Sequence, residues 1–167
     1  MFVQMVRWVM ACVSIVNFSK LVNVAPTCFF HGHRGLQQGC PISPLLFLIV
    51  IDSLSHLINE TKERGVIKGV CISYAYALSH ILYVNDVLLF GGNNRREWQA
   101  FVDIIHLFCL ASGMEVSSSK SSLITLDGEV EIQIHDRFPY QVLNINDGFT
   151  YLGFLLKPCG YKKYDWQ

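Results

Sequence analysis

"HILYVNDVLLFGG", residues His80–Gly92, sets two apolar runs around two polar residues, Asn85 and Asp86. Apolar runs of this length on either side of a polar pair predict two strands joined by a tight turn. Asparagine tolerates the left-handed backbone that a two-residue hairpin demands, so Asn85 is accounted for as a turn-former. The plain reading of "ND" is thus simply a good turn, and what a carboxylate does at the tip of an apolar hairpin is the question the stretch raises. The stretch therefore predicts an antiparallel hairpin and leaves one charged group whose role has to be found elsewhere in the chain.

Working outward, a helix is predicted from about Arg95 to Ser112. Asn94 with Glu97 makes a capping-box-like start, and Gly113 closes it. Its inner stripe reads Trp98, Phe101, Val102, Ile105, Phe108 and Cys109. Upstream, Ser43 as N-cap and Pro44 at the first helical position open a second helix that Gly65 can end. Its first turns, "LLFLIVI", are apolar all round and are expected to be buried, whereas from Asp52 only Leu54, Leu57 and Ile58 face inward. "VIKGVCIS" alternates as a strand does, "KLVNV" fits a strand ending at Pro26, and Phe2 to Phe18 fit a short apolar helix. "SLITL" and "TYLGFLL" are further strands, and residues 127–148 read as neither helix nor strand with any force. With no internal repeat and no linker composition, residues 1–167 are expected to form one α+β unit.

Composition bounds the answer further. Of 167 residues, 51% are hydrophobic and 16% charged, which excludes a disordered chain and leaves room for one core. Lysine plus arginine equal aspartate plus glutamate at 13 each, so net charge points to no polyanionic partner, although a local basic groove can sit inside a neutral total. Cys12, Cys28, Cys40, Cys71, Cys109 and Cys159 stand mostly in apolar company without a CxxC, which reads as reduced, intracellular use as small hydrophobes. The opening stretch superficially resembles a signal peptide, but Gln4 and the late Arg7 make a poor n-region and bulky Trp8 interrupts the run. No stretch reaches the roughly 20 apolar residues that span a bilayer, so the expectation is a soluble protein with no membrane partner. Cys28, His31, His33 and Cys40 are zinc-type ligands within a short stretch, yet the one-residue gap between the histidines puts them on opposite faces of any strand.

Four segments in register, "RGLQQGCPISPLLFLIV", "ILYVNDVLLFGG", "ASGMEVSSSKS" and "YLGFLLKP", resemble the reverse transcriptase domain of plant non-LTR (LINE-type) retrotransposons. The resemblance runs from about Trp8 to the last residues. It implies the palm of a polymerase, a small antiparallel sheet backed by helices, with fingers and thumb largely missing and the domain truncated at both ends. It further implies RNA-templated DNA synthesis with Mg²⁺ as cofactor and an RNA/DNA primer-template and deoxynucleoside triphosphates as partners. In the first segment Gln38 and Gly39 match the family residues that line the incoming base pair and template. A helix-entry loop with a Ser-Pro cap explains the same stretch structurally. Lys120 matches the lysine that neutralises departing pyrophosphate, against the plainer reading of a solvated lysine in a serine-rich turn. "TYLGFLL" matches the hairpin that grips the primer, and Tyr151 and Phe154 would serve that role or an ordinary strand equally.

The second segment carries the chemistry. Nucleotidyl transfer uses two divalent ions about 4 Å apart, held by hard anionic oxygens. The family places an aromatic residue, a variable residue and two aspartates on the hairpin; the matching residues are Tyr83, Val84, Asn85 and Asp86. Asn85 stands at the first aspartate, the direct metal ligand, and an amide oxygen brings no charge against two dications. The family's other metal-binding aspartate lies on an earlier strand, expected upstream of Met1, and nothing before Asp52 is acidic. The resemblance thus implies a catalytically inactive fragment in which Asp86 is the remaining metal-type ligand. The alternative is a non-catalytic nucleic-acid-binding or purely structural remnant. Apolar faces that missing parts would cover are expected to favour self-association.

Overall fold

A computed structural model of the chain describes residues 2–14, 17–32, 39–92, 94–126 and 140–163. The helix α3 (Arg95–Ser112) forms where the sequence supplies a cap at each end. Asn94 is extended (φ −127°, ψ 115°) and its side-chain oxygen accepts from the Arg96 N–H at 3.0 Å, while Gly113 takes φ 70° and donates its N–H to the Cys109 carbonyl. Phe101, Val102, Ile104 and Phe108 are buried, and so is Glu97. The expected stripe was centred one position off: Trp98, Ile105 and Cys109 are half-buried, and the deepest line runs through 97, 101, 104 and 108. A polar residue at the first position of that line is what displaced the reading.

The helix α2 (Ser43–Glu63) begins at the expected Ser-Pro pair, and Gly65 follows its end with φ 74°. Leu54 and Ile58 are buried and Leu57 half-buried, as its one-sided second half requires. Its first turns depart from expectation: Leu46 and Ile51 are buried, but Leu45, Leu48 and Ile49 are each more than half exposed. An apolar run states what a helix would gain by burial, not which faces find a partner. Contrary to the sequence expectation, α2 is by length and composition apolar enough to cross a membrane. Core helices and signal sequences pass the same test of length and composition, and 22% of the apolar window of α2, Leu54 and Ile58 included, is buried within the fold.

The chain divides into two compact units, Met1–Val50 and Ile51–Gln167. In the first, α1 (Phe2–Ser14) ends sooner than expected, and β1 (Asn17–Phe18) pairs antiparallel with β4 (Phe30–His31), stacking Phe18 on Phe30 at 5.9 Å between ring centroids. "KLVNV" is not one strand but a hairpin of β2 (Leu21–Val22) and β3 (Ala25–Pro26), because Asn23 and Val24 both take left-handed φ. Pro26 lies inside β3, opposite Leu21, at a pair where its missing N–H is tolerated on a sheet edge.

In the second unit, β5 (Val70–Ser73) pairs with β6 (Tyr76–Leu78) and β7 (His80–Tyr83) with β8 (Asp86–Leu89), both antiparallel. β9 (Ser122–Thr125), the expected "SLITL" strand, pairs in parallel with β10 (Gln141–Asn144), and a 3₁₀ turn at Ile145–Asp147 leads to β11 (Phe149–Tyr151) and β12 (Phe154–Leu156). "TYLGFLL" therefore folds back on itself at Leu152 (φ 51°) and Gly153 (φ 83°) instead of running on as one strand. The class is α+β, built among the described residues from two-stranded pairings instead of one continuous antiparallel sheet.

Three backbone N–H groups from two loops of this unit meet on Glu97, which is 1% exposed. Its Oε1 accepts from Lys68 N (2.8 Å) and Gly69 N (2.7 Å), and its Oε2 accepts from Gly92 N (3.0 Å). The reciprocal bond of a capping box is thus absent; the carboxylate reaches past the N-cap to the loops before β5 and after β8. Gly69 is needed there twice over. Its φ is 73°, and a Cβ would run into the Leu78 carbonyl. Gly113 has the same sign of φ but open space around it. Gly113→Ala should therefore cost about 1 kcal/mol from backbone strain alone, whereas Gly69→Ala should cost about 3 kcal/mol or more because backbone must also move. Urea denaturation of the two variants against the parent chain measures the difference.

Candidate active-site hairpin

The β7–β8 ladder pairs His80 with Leu89, Ile81 with Leu88, Leu82 with Val87 and Tyr83 with Asp86, leaving Val84 and Asn85 as the two loop residues. A further bond from Phe90 N to Ser79 O (2.8 Å) extends the pairing at the base. The left-handed residue is Val84 (φ 51°), not Asn85 as the sequence suggested. Only the first loop position turning left-handed is the sign pattern of a type II′ turn, and it spares the second. A β-branched side chain in this region is strained. Val84→Gly should raise stability by about 1 kcal/mol through relief of that strain, read as an upward shift of the thermal midpoint.

At the base of the hairpin, His80 joins strand to helix. Its Nε2 lies 2.8 Å from Ser55 Oγ on α2, and its Nδ1 lies 3.0 Å from the hydroxyl of Ser79, itself buried. Nearby, Lys62 donates to the Ala77 carbonyl and stands over the Tyr76 ring, 5.6 Å from its centroid. Burial, and secondarily the positive Lys62, hold the His80 imidazole below its ordinary pKa. An unfolded chain therefore binds a proton at His80 more readily than the folded one, so this contribution is present above the unfolded value of about 6.5 and is lost as pH falls below it. Stability should drop between pH 7 and pH 5 with a component that His80→Gln removes, measured by denaturant midpoints across that range.

At the tip, Tyr83, Asn85 and Asp86 are all exposed, and the Asp86 carboxylate has no hydrogen-bond or ion-pair partner among the described residues. Lys120 is exposed at the end of a turn closed by its own N–H on Ser117 O, just before β9. Gly39, in the first unit, has φ 84° with nothing around its Cβ position, so within the chain its glycine is required by backbone conformation and not by a close neighbour. Gln38 and His33 lie outside the described residues. The structure thus brings Tyr83, Asn85 and Asp86 together through the hairpin register, and no described contact links Lys120 to them. Tyr151 is half-buried, its hydroxyl enclosed without a hydrogen-bond partner among the described residues, and Phe154 is exposed.

Against a two-ion centre the donor set fits poorly. Asn85 is neutral, Asp86 is a single carboxylate, and no group of three or more His, Cys, Asp or Glu side chains placed to hold a metal occurs among the described residues. Ser55, His80 and Glu97, which fasten the hairpin, were not singled out as site residues from sequence. Glu97 did carry a signal, as the one acidic residue on the centre line of an otherwise apolar stripe.

Residues 3–156 match the family model of reverse transcriptase (RNA-dependent DNA polymerase), and the chain belongs to that family. Over 67 residues it is 34% identical to an uncharacterized mitochondrial protein of Arabidopsis thaliana. That match takes in 40% of this chain and 55% of the relative, so the chain spans about half the length of the curated protein it matches. Members of the family bind a nucleic-acid template and deoxynucleotides and depend on divalent metal.

Proposed function

We propose that this chain is a palm segment of a LINE-type reverse transcriptase whose catalytic hairpin is β7–β8 and whose own residues do not support RNA-templated DNA synthesis. The observation that carries the reading is the Tyr83–Asp86 pairing, which makes Asn85 a loop residue of the hairpin and leaves it, exposed, where the family motif has its metal-binding aspartate. In this reading Asp86 is the retained carboxylate, and Lys120 stands where a cation would meet departing pyrophosphate. Gln38, Gly39 and Tyr83 are the residues that contact nucleotide and template, and the β11–β12 hairpin grips the primer.

The physical reason for inactivity is charge. Two dications and the phosphates they hold need several anionic oxygens converging at once, and a single exposed aspartate supplies too few. Residues 1–51 contain no aspartate or glutamate that could act as a second ligand. Mg²⁺ should accordingly bind with a dissociation constant of about 10⁻³ M or weaker. Primer extension on an RNA template, with Mg²⁺ or Mn²⁺, tests the reading in three forms: the chain as it stands, Asn85→Asp, and Asn85→Asp fused behind the aspartate-bearing segment of an active family member. Extension in the fused form only is the expected result. Extension by the unmodified chain, or micromolar Mg²⁺ binding that Asp86→Ala abolishes, overturns it.

A further inference from the structure

We propose that Glu97 is the positioning residue of the β7–β8 hairpin: one buried carboxylate sets the direction in which Tyr83, Asn85 and Asp86 are presented. Besides the His80–Ser55 contact, the hairpin meets the rest of its unit on its exit side and on its entry side, and Glu97 governs these two. On the exit side, Oε2 holds Gly92 N, three residues beyond the end of β8. On the entry side, Oε1 holds Lys68 N and Gly69 N, and Gly69 is packed so closely on the Leu78 carbonyl and Ser79 Cα that no side chain fits between them. Ser79 immediately precedes His80, the first residue of β7, so a shift of the 68–69 loop passes directly to the strand.

The neighbourhood leaves the carboxylate little freedom. A Cβ on Gly91 would lie 3.3 Å from both Glu97 Cδ and the Phe101 ring, so the chain leaving β8 runs flush against the side chain that holds it. Glu97 itself stands in the first turn of α3, between the capped N-terminus and the buried Phe101, and its backbone is fixed by the helix. A capping residue would need only one of these bonds, to its own helix end. Bonds to the loop after β8 and to the loop before β5, which abuts the backbone entering β7, make a clamp. The other attachment, His80 to Ser55, anchors β7 to α2 but leaves β8 untouched.

Glu97→Gln separates the clamp from simple bulk. The amide keeps the shape but has a single acceptor oxygen, so either Gly92 N or the Lys68 and Gly69 pair must face an NH₂ donor. The test is amide hydrogen exchange on the full chain, comparing the parent, Glu97→Gln, Glu97→Asp and a core variant of α3, Ile104→Val. Glu97→Gln should speed exchange at Lys68, Gly69, Gly92 and the β7–β8 amides by about tenfold or more. The β9–β10 amides and the C-terminal half of α3 should keep the parent rate, and Ile104→Val should show no such localisation.

Glu97→Asp, which retains both acceptors on a shorter stem, should give the same localisation to a smaller degree, and it serves as the reading if the glutamine form does not fold. Uniform acceleration across the unit, or none, would overturn the proposal. The second arm rests on the catalytic reading above: in the fused Asn85→Asp form, Glu97→Gln should lower kcat about tenfold or more while KM for primer-template changes little. An inactive fused form with localised exchange would count against the catalytic reading and leave the clamp standing. An active one whose kcat ignores Glu97→Gln would count against the clamp.

Discussion

The second unit is organised around a carboxylate buried where sequence patterning would put a hydrophobic side chain. Glu97 is 1% exposed and accepts three backbone N–H groups from two different loops. A buried acceptor of this kind is tolerable only because every bond it needs is made. Its bonds in turn satisfy backbone donors that belong to neither helix nor strand and would otherwise be left without partners. Gly91 follows from the same closeness, since a Cβ there would lie 3.3 Å from Glu97 Cδ, while Gly69 is required by its φ of 73° and its approach to the Leu78 carbonyl. The residues Phe101, Ile104 and Phe108 continue the line that Glu97 begins, so hydrophobic burial of α3 and fixation of the hairpin are one arrangement.

The hairpin that results is well held at its base and spare at its tip. His80 and Ser55 tie one strand to α2, Gly92 and Glu97 tie the other to α3, and the two loop residues stand exposed with strain stored at Val84. Such a division suits the proposed reading, in which the hairpin of a reverse transcriptase presents metal ligands at its tip and Asn85 stands at one of those positions. Fold and chemistry are separable here: an amide at position 85 leaves the turn intact while removing the charge that a dication needs.

Much of the fold was legible because it rests on local signals. The Asn94 cap, the Gly113 terminator and the Ser-Pro entry of α2 each act over one helical turn, and the bounds of both helices follow from them. The β7–β8 register is equally local, since two apolar runs with a two-residue loop permit few other pairings. Errors arose where a decision depended on backbone sign or on distant partners. "KLVNV" and "TYLGFLL" look continuous in composition but turn back because Asn23, Val24, Leu152 and Gly153 adopt left-handed φ. The apolar first turns of α2 stay partly exposed because composition cannot say which of its faces will be covered.

The sequence by itself determined the α+β class, the two capped helices, the hairpin and the motif order that marks the reverse transcriptase family, because propensity, capping and pattern are properties of neighbouring residues. It also determined that position 85 lacks a carboxylate. Only the tertiary structure decided that Val84 and not Asn85 carries the strained turn, that His80 meets Ser55 across 25 residues, and that Glu97 reaches 28 and 29 residues back to Gly69 and Lys68. Those pairings depend on how α2, α3 and the hairpin pack, and a hydrogen bond between residues so far apart leaves no periodicity in the chain to reveal it.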